Sequence, residues 1–287
     1  MTEQEYINHI NNSIAEIRSI DMKNSWAYEQ VIHAILKIKE LPIILYKLPV
    51  DSTIFRARIN KTADLFTRVS EISAPKKIHV QKYGRANKPL QVLFYGSETR
   101  PSAYFEFVTH LSRTVPIGKE TMITLGVWKL LKEIQLVLVF NPSVQRNNYY
   151  NKLHGAAFDD FLSQTPVELR KGTKIFFEFI GEEYAKSVEN ANESYLITCA
   201  YANIVFAYKR GDGIMYPSVP LEGEGFNVAL KENIHEDGYL KLEFALVDKF
   251  IAKKQENGKH NFLNNARKNA QNITETDIIW EVDWNIF

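Results

Sequence analysis

The sequence predicts an α+β fold with a mixed β core and surrounding helices, and three observations support it. Apolar residues recur at helical spacing over residues 3–40. Short segments rich in β-branched and aromatic residues follow, separated by turn formers. These strands are clustered with helices between them, whereas a regular βαβ array would alternate one strand with one helix.

The first 40 residues are expected to form a helical hairpin. One apolar stripe runs through Ile7, Ile10, Ile14 and Ile17, and a second runs over residues 28–36. Pro42 ends the pattern, because the residue before a proline is disfavoured in the helical conformation. We expect the hairpin to cap the core, and docking to a partner is the alternative.

Beyond the hairpin, the patterns predict strands and helices in clusters. The strands are predicted at 53–58, 91–96, 124–130, 134–140, 213–219, 226–230 and 239–247, and the helices over 152–163 and 176–208. Residues 251–272 are polar and rich in lysine and arginine, so we expect a solvated linker or helix there. The segment IIWEVDW at 278–284 is expected to add a last strand.

Composition limits the classes of partner. The formal net charge is +1, so no overall attraction to nucleic acid or to an anionic membrane is expected. The single cysteine, Cys199, lies in the apolar run YLITCAYA, which excludes an internal disulfide framework and predicts a buried thiol. No apolar run reaches the roughly 18 residues of a membrane helix, and the polar start lacks a secretory pattern. We therefore expect a cytoplasmic protein.

Common catalytic motifs are absent from the sequence. The histidines form no HExxH pair, and there is no GxSxG elbow, no phosphate-binding GxxxxGK[ST] loop and no GxGxxG. We therefore expect no metal and no cofactor. The stretch 84–106 instead places Arg85, Tyr95 and Glu106 around an apolar run, near the ends of predicted elements. Such residues can meet at one cleft and act through charge, stacking and hydrogen bonds, which suffices to break a glycosidic bond to a good leaving group.

Several ordered stretches resemble the RES-domain family, which is named for its Arg, Glu and Ser. Tyr95 follows Arg85 by ten residues and Glu106 follows Tyr95 by eleven, as in the family. The resemblance spans about residues 53–247, although Ala86 replaces the usual tryptophan and the distance from Glu106 to Ser218 is long. The matching stretches are FRAR (55–58), GRAN (84–87), LFYGS (93–97), AYFEF (103–107) and GDGIMYPSVPLEGEGFNVAL (211–230).

The resemblance implies an ADP-ribosyltransferase-like fold and an enzyme that cleaves NAD at the nicotinamide–ribose bond, with water or inorganic phosphate as acceptor. It further implies a toxin paired with a protein antitoxin, so that any contact with nucleic acid is made by the antitoxin. On this basis residues 1–48 are an N-terminal helical extension, 49–250 the catalytic domain and 251–287 a polar C-terminal segment. The implied site residues are Arg85, Glu106 and Ser218 as catalytic groups, and Arg56, Tyr95, Tyr216 and Asn227 as substrate-binding groups.

The resemblance also assigns roles. Glu106 stabilises an oxocarbenium-like ribose, and Arg85 contacts the pyrophosphate or the nicotinamide ribose. Arg56 is a second phosphate contact or orients Glu106, with Arg58 on the same strand face a weaker candidate. Tyr95 stacks on a base, Ser218 donates a hydrogen bond, and Tyr216 and Asn227 contact ribose or amide groups.

Each of these residues also has an ordinary structural explanation. Arg85 and Ser218 are compatible with surface turns, Arg56 with a structural ion pair, Tyr95 with the core, and Glu106 with the exposed face of a helix. Two other functions stay open: ADP-ribosyl transfer to a macromolecule, and a non-catalytic module that binds a nucleotide or a partner through the hairpin. The sequence does not predict the oligomeric state.

Overall fold

The computed structural model describes residues 1–144, 147–187, 191–207, 211–254 and 260–287, and its fold is α+β, as predicted. Among these residues no helix is long and apolar enough to cross a membrane. The helices are α1 (Glu3–Ser19), α2 (Ala27–Leu36), α3 (Val69–Ile72), α4 (Arg100–Thr114), α5 (Tyr149–Gln164), α6 (Val167–Ala185), α7 (Ala191–Ser194), α8 (Leu196–Ala207) and α9 (Glu232–Glu236), with a short 3₁₀ turn at Lys77–His79.

Apart from the first, for which no strand was predicted, the strands up to residue 247 fall close to the predicted positions. They are β1 (Leu45–Leu48), β2 (Thr53–Asn60), β3 (Leu93–Ser97), β4 (Glu120–Leu130), β5 (Ile134–Leu138), β6 (Gly213–Pro217), β7 (Phe226–Lys231), β8 (Leu240–Lys254), β9 (His260–Ile273), β10 (Ile278–Trp280) and β11 (Asn285–Ile286). Residues 188–190 and 208 of the predicted helical stretch, and 255–259 of the predicted linker, lie outside the described residues.

The chain forms two compact units. Unit 1 comprises Met1–Leu48, Lys76–Leu93 and Ile134–Lys231, and unit 2 comprises Pro49–Pro75, Phe94–Glu133 and Glu232–Phe287. In unit 1 the strand order is β1-β5-β6-β7, with β5 and β6 parallel and the other pairs antiparallel. Because both directions occur, the β core of this unit is mixed, as predicted.

The N-terminal hairpin packs on unit 1. Thr2 begins α1 with a capping box, in which its hydroxyl accepts from the Glu5 amide while the Glu5 carboxylate accepts from the Thr2 amide. Helix α1 packs against α6, and α2 packs against α8. Gly172 permits the first contact, because a Cβ there would lie 2.5 Å from the ring of the buried Tyr6. The predicted hairpin is confirmed, and its apolar stripe caps the helices of unit 1.

Unit 2 is a sheet of order β3-β2-β4-β8-β9-β10, with β11 beside β9, and each of these strand pairs is antiparallel. Thr99 caps the N-terminus of α4, since its hydroxyl accepts from the Ser102 amide, and Pro101 lies in the first turn of the helix. Its apolar face lies on a cluster of buried side chains, with Ala103 and Leu111 from the helix and Ala57, Ile123, Leu125 and Leu246 from the strands.

The expectation of a linker or helix over 251–272 is wrong, because strands β8 and β9 pair along most of it. Two of its cations form bonds that the linear sequence does not reveal. Arg267 donates to the Asp248 carboxylate, and the Lys268 ammonium donates to the carbonyls of Glu281 and Val282 at 3.0 and 2.6 Å. Strand β10 lies within the segment expected to form a last strand.

Two buried groups in unit 1 are held in their neutral forms. Cys199 is fully buried, as predicted, and burial raises the pKa of its thiol to about 12. His154 is also fully buried, among the rings of Tyr46, Tyr150 and Phe226, and neither ring nitrogen has a hydrogen-bond partner. Burial lowers the pKa of His154 to about 4, because a charged imidazole would lose its hydration among aromatic rings.

The histidine should make folding sensitive to acid. An unfolded histidine has a pKa of about 6.5, so as the pH drops the unfolded state binds a proton before the folded state does. The free energy of unfolding therefore falls between about pH 6.5 and pH 4, by up to about 3 kcal/mol. In His154→Phe this part of the pH dependence should disappear. Urea unfolding at pH 7.5, 5.5 and 4.5 measures it, with His33→Phe as control, since His33 is exposed. Equal acid sensitivity in wild type and His154→Phe would contradict the assignment.

Candidate functional site

The predicted site residues are divided between the two units. Arg56, Tyr95 and Glu106 lie in unit 2, while Arg85, Tyr216, Ser218 and Asn227 lie in unit 1. Within each unit several of them are neighbours. The expectation that Arg85, Tyr95 and Glu106 meet at one cleft stays a prediction. Among the described side chains, no group of three or more histidine, cysteine, aspartate and glutamate residues is arranged to hold a metal ion.

Arg56 on β2 is tied to the neighbouring backbone. Its Nε donates to the carbonyl of Ser73 at 3.0 Å and its Nη1 to the carbonyl of Tyr95 at 2.6 Å, while the guanidinium lies 5.2 Å from the centre of the Phe94 ring. Burial, and then the neighbouring Arg58, lower the pKa of Arg56 to about 10, so it is still a cation at neutral pH. These bonds bring together two of the predicted residues, Arg56 and Tyr95.

Arg58 lies on the same face of β2, as its spacing from Arg56 predicts. Its guanidinium donates to the carbonyl of Glu71 and lies 5.4 Å from the centre of the Phe66 ring. The two arginines therefore hold the segment around α3 against the strand. Ser73 in that segment is buried, and its hydroxyl is hydrogen-bonded to the Nε2 of His235. Burial, and then the charge of Arg56, lower the pKa of His235, which favours the neutral ring.

Glu106 lies on the exposed side of α4. Three neighbours explain the orientation of the helix: Ala103 is buried in the core cluster, Phe107 packs against it, and Tyr104 lies against Phe250 with ring centres 5.5 Å apart. Because α4 begins at Arg100, three residues after β3 ends at Ser97, a short connection links the strand of Tyr95 to the helix of Glu106. Glu106 is thus an exposed residue on a helix that is anchored to the core cluster by its other face.

The guanidinium of Arg85, in unit 1, lies at the C-terminal end of α6. Its Nη1 and Nη2 donate to the carbonyls of Tyr184 and Lys186, both at 2.9 Å, and its guanidinium lies 5.2 Å from the centre of the Tyr195 ring. The last carbonyls of a helix lack partners within the helix, so the arginine satisfies two acceptors at its negative end. A guanidinium has five N–H donors, and these bonds use two of them.

Tyr216 and Asn227 are directly opposite each other on β6 and β7, so their side chains lie on one face of the sheet. Both are buried, and the Tyr216 ring packs on Tyr184 with the ring centres 5.3 Å apart. Since the Tyr184 carbonyl accepts from Arg85, three of the predicted residues of unit 1 belong to one set of neighbours.

Ser218 is fully buried in the loop that follows β6. Its amide donates to the carbonyl of Gly225, and its carbonyl accepts from the amide of Gly223, both at 2.9 Å. Gly223 has a φ of 82° and lies so close to Asn148 that a Cβ would be 2.5 Å from its side-chain nitrogen. Asn148 caps the N-terminus of α5 through the Asn151 amide.

A cavity of about 240 Å³ in unit 1 adjoins this loop. Its lining includes Ser218 and Pro217 from the loop after β6, together with Asn148 and Asn151 from the start of α5. The N-terminus of a helix has a partial positive charge and favours anionic groups. Ser218, Glu222 and the start of α5 therefore add polar groups to a lining whose surface is mostly apolar.

Sequence reasoning missed Asp248, a carboxylate of unit 2 that accepts hydrogen bonds from four side chains. It is fully buried on β8 and accepts from side chains of α4 and β9. The predicted strand ended at residue 247, so Asp248 was not expected inside a sheet. An aspartate directly after YLKLEFALV was the available signal, because aspartate is depleted in strands and a buried carboxylate needs partners.

Comparison with known proteins leaves the family open. No protein-family model matches the chain, and no curated protein matches it. One solved structure with a similar backbone is the M. tuberculosis MbcT–MbcA toxin–antitoxin complex, with a TM-score of 0.37 and 11% sequence identity over 71% of this chain and 85% of that chain. A likeness at this level supports no argument about fold family or function, so the ADP-ribosyltransferase-like arrangement stays a prediction.

The bonds of Arg56 predict a specific sensitivity to substitution. Arg56→Lys replaces a planar group that donates to two carbonyls with a single ammonium, so one carbonyl loses its partner and the free energy of unfolding should fall by about 1–3 kcal/mol. Urea unfolding measures this. Arg68→Lys is the matched control in unit 2, because Arg68 forms an exposed ion pair with Asp277 and the change there should cost less than about 0.5 kcal/mol. Equal losses in the two variants would contradict the role of Arg56.

Proposed function

We propose that the chain cleaves NAD at the nicotinamide–ribose bond, with water or inorganic phosphate as acceptor. The observation behind the proposal is the ordered set of stretches that resemble the RES-domain family, with Arg85, Tyr95 and Glu106 at the family spacing and Ser218 in the last stretch. The local geometry supports it. Arg56 is bonded to the backbone of Tyr95, Glu106 is exposed on a helix, and Ser218 lines a cavity beside the start of α5.

The chemistry requires little beyond charge and position. The nicotinamide ring of NAD is cationic and leaves as a neutral molecule, so the positive charge passes to the ribose in the transition state. A carboxylate stabilises that oxocarbenium-like ribose by Coulomb attraction, which is the role proposed for Glu106. Guanidinium groups bind pyrophosphate with paired hydrogen bonds, which is the role proposed for Arg85 and Arg56.

The remaining groups would orient the substrate. The Tyr95 ring offers a stacking surface for a base, and the hydroxyl of Ser218 a hydrogen bond. Tyr216 and Asn227 share a sheet face, so their side chains would contact ribose or amide groups together. The same cationic groups would bind either a substrate pyrophosphate or free phosphate, and for that reason both acceptors belong to the proposal.

Incubation of purified protein with labelled NAD, with and without phosphate, tests the function. We expect nicotinamide together with ADP-ribose, or with its 1-phosphate when phosphate is the acceptor, identified by mass. Glu106→Gln should lower NAD turnover by a factor on the order of 10² or more, because it removes the charge that stabilises the transition state. Glu243→Gln, also an exposed carboxylate of unit 2, is the control and should retain full turnover.

Other results of these experiments would favour the alternative functions or refute the role of Glu106. Unchanged turnover in Glu106→Gln would refute the assignment of that residue. Label on a macromolecule with little free product would establish ADP-ribosyl transfer in place of cleavage. Intact NAD after prolonged incubation with folded wild-type protein would favour the non-catalytic binding module.

We further propose that the chain is a toxin restrained by a protein antitoxin, since an enzyme that destroys NAD must be inhibited when idle. The RES resemblance motivates this proposal. Expression in a bacterial host without the antitoxin should deplete cellular NAD and arrest growth, and Glu106→Gln at equal abundance should do neither. NAD content, growth rate and protein abundance are the measurements. Normal growth with undiminished NAD at full expression of wild-type protein would contradict toxicity.

A further inference from the structure

The carboxylate of Asp248 joins three elements of unit 2. It lies on β8, is fully buried and accepts hydrogen bonds at both oxygens. From α4, Arg100 donates to Oδ2 at 2.7 Å and the Tyr104 hydroxyl donates to Oδ2 at 2.6 Å. From β9, Asn264 donates to Oδ1 at 2.9 Å, and Arg267 donates to Oδ1 at 2.7 Å and to Oδ2 at 3.2 Å.

These bonds fix the first turns of α4 in a way that its apolar contacts do not. Arg100 and Tyr104 are four residues apart, so they lie above one another on one face of the helix. Two directional bonds from that face to a single oxygen on a paired strand restrict both the rotation of the helix about its axis and its sliding along it. The contacts of Ala103 and Leu111 with the core are non-directional and permit small shifts of either kind.

The rotation of α4 determines where Glu106 points. Glu106 follows Tyr104 by two residues, which places it about 200° around the helix, on the side facing away from Asp248. A helix turns as one body, so a rotation released at Arg100 and Tyr104 displaces the Glu106 carboxylate by a similar angle. Misplacement of a reacting group by about 1 Å is enough to lower a rate about 10²-fold.

We propose that Asp248 is the positioning residue for Glu106, acting through Arg100 and Tyr104. The proposal rests on the proposed function of Glu106 in NAD cleavage. Asp248 has no contact with substrate in this scheme. It holds the helix so that the carboxylate of Glu106 meets the ribose where positive charge develops.

A double-mutant cycle tests this proposal. We expect Asp248→Asn to lower the kcat for NAD by about 10-fold to 10²-fold and to change KM by less than about twofold, because orientation matters most in the transition state. In a Glu106→Gln background the same substitution should have no further effect on kcat, since there is no carboxylate left to orient. Equal effects of Asp248→Asn in both backgrounds would overturn the proposal.

A second measurement does not depend on activity. Hydrogen exchange of the α4 amides should accelerate at least about tenfold in Asp248→Asn, and unchanged exchange would overturn the proposal. If wild-type protein consumes no NAD, the proposed function fails, whereas faster exchange would still show that Asp248 holds α4. The two failures are therefore distinguishable.

Two further variants separate positioning from general stability. Tyr104→Phe removes one hydrogen bond to Asp248 and keeps the ring against Phe250, so it replaces Asp248→Asn in the test if that variant does not fold. We expect Tyr104→Phe to lower kcat by less than Asp248→Asn does, and to have no effect on kcat in the Glu106→Gln background. Thr124→Val is the control, because Thr124 is buried and donates to Asn60 at 2.8 Å, and it has no bond to the described side chains of α4. A loss of kcat in Thr124→Val equal to that in Tyr104→Phe would overturn the proposal.

Discussion

Asp248 places a carboxylate with no exposed surface inside unit 2, and the arrangement of that unit follows from the need to satisfy it. The removal of such a charge from water costs several kcal/mol unless hydrogen bonds and opposite charges compensate. Donors from α4 and β9 provide them, and bonds to a charged acceptor are about twice as strong as neutral ones. Apolar packing brings these elements together, whereas the hydrogen bonds to the Asp248 carboxylate determine how α4 and β9 are positioned relative to β8.

The two arginines predicted to be functional are held in the same way, one in each unit. Arg56 and Arg85 each donate to two main-chain carbonyls, one at a strand junction and the other at a helix end. A guanidinium fixed in this way loses little conformational freedom when it binds an anion, so less of the binding free energy is consumed by ordering. The structural and functional explanations of these arginines are therefore compatible, because one guanidinium has enough N–H donors to bond the main chain and to bind an anion.

The sequence predicts most of the fold because local patterns determine it. Isoleucine spacing gives the hairpin, and β-branched runs give the strands up to residue 247. The pattern failed over 251–272, because the cations of β9 are paired by groups distant in the chain, such as Asp248 with Arg267. The candidate site residues were proposed from motif spacing, and the partners of Arg56 and Arg85 are main-chain carbonyls, which no side-chain pattern marks. Asp248 was missed for a different reason: two of its side-chain partners lie on α4, more than 130 residues earlier.

The single cysteine has a practical consequence. The thiolate is the form that reacts with alkylating agents and oxidants, and at neutral pH a thiol with a pKa of about 12 is almost never ionised. Cys199 is also fully buried, which denies such reagents access. The redox state of the surroundings therefore does not reach the folded chain through this residue, and a probe attached to an introduced surface cysteine reports on that position alone.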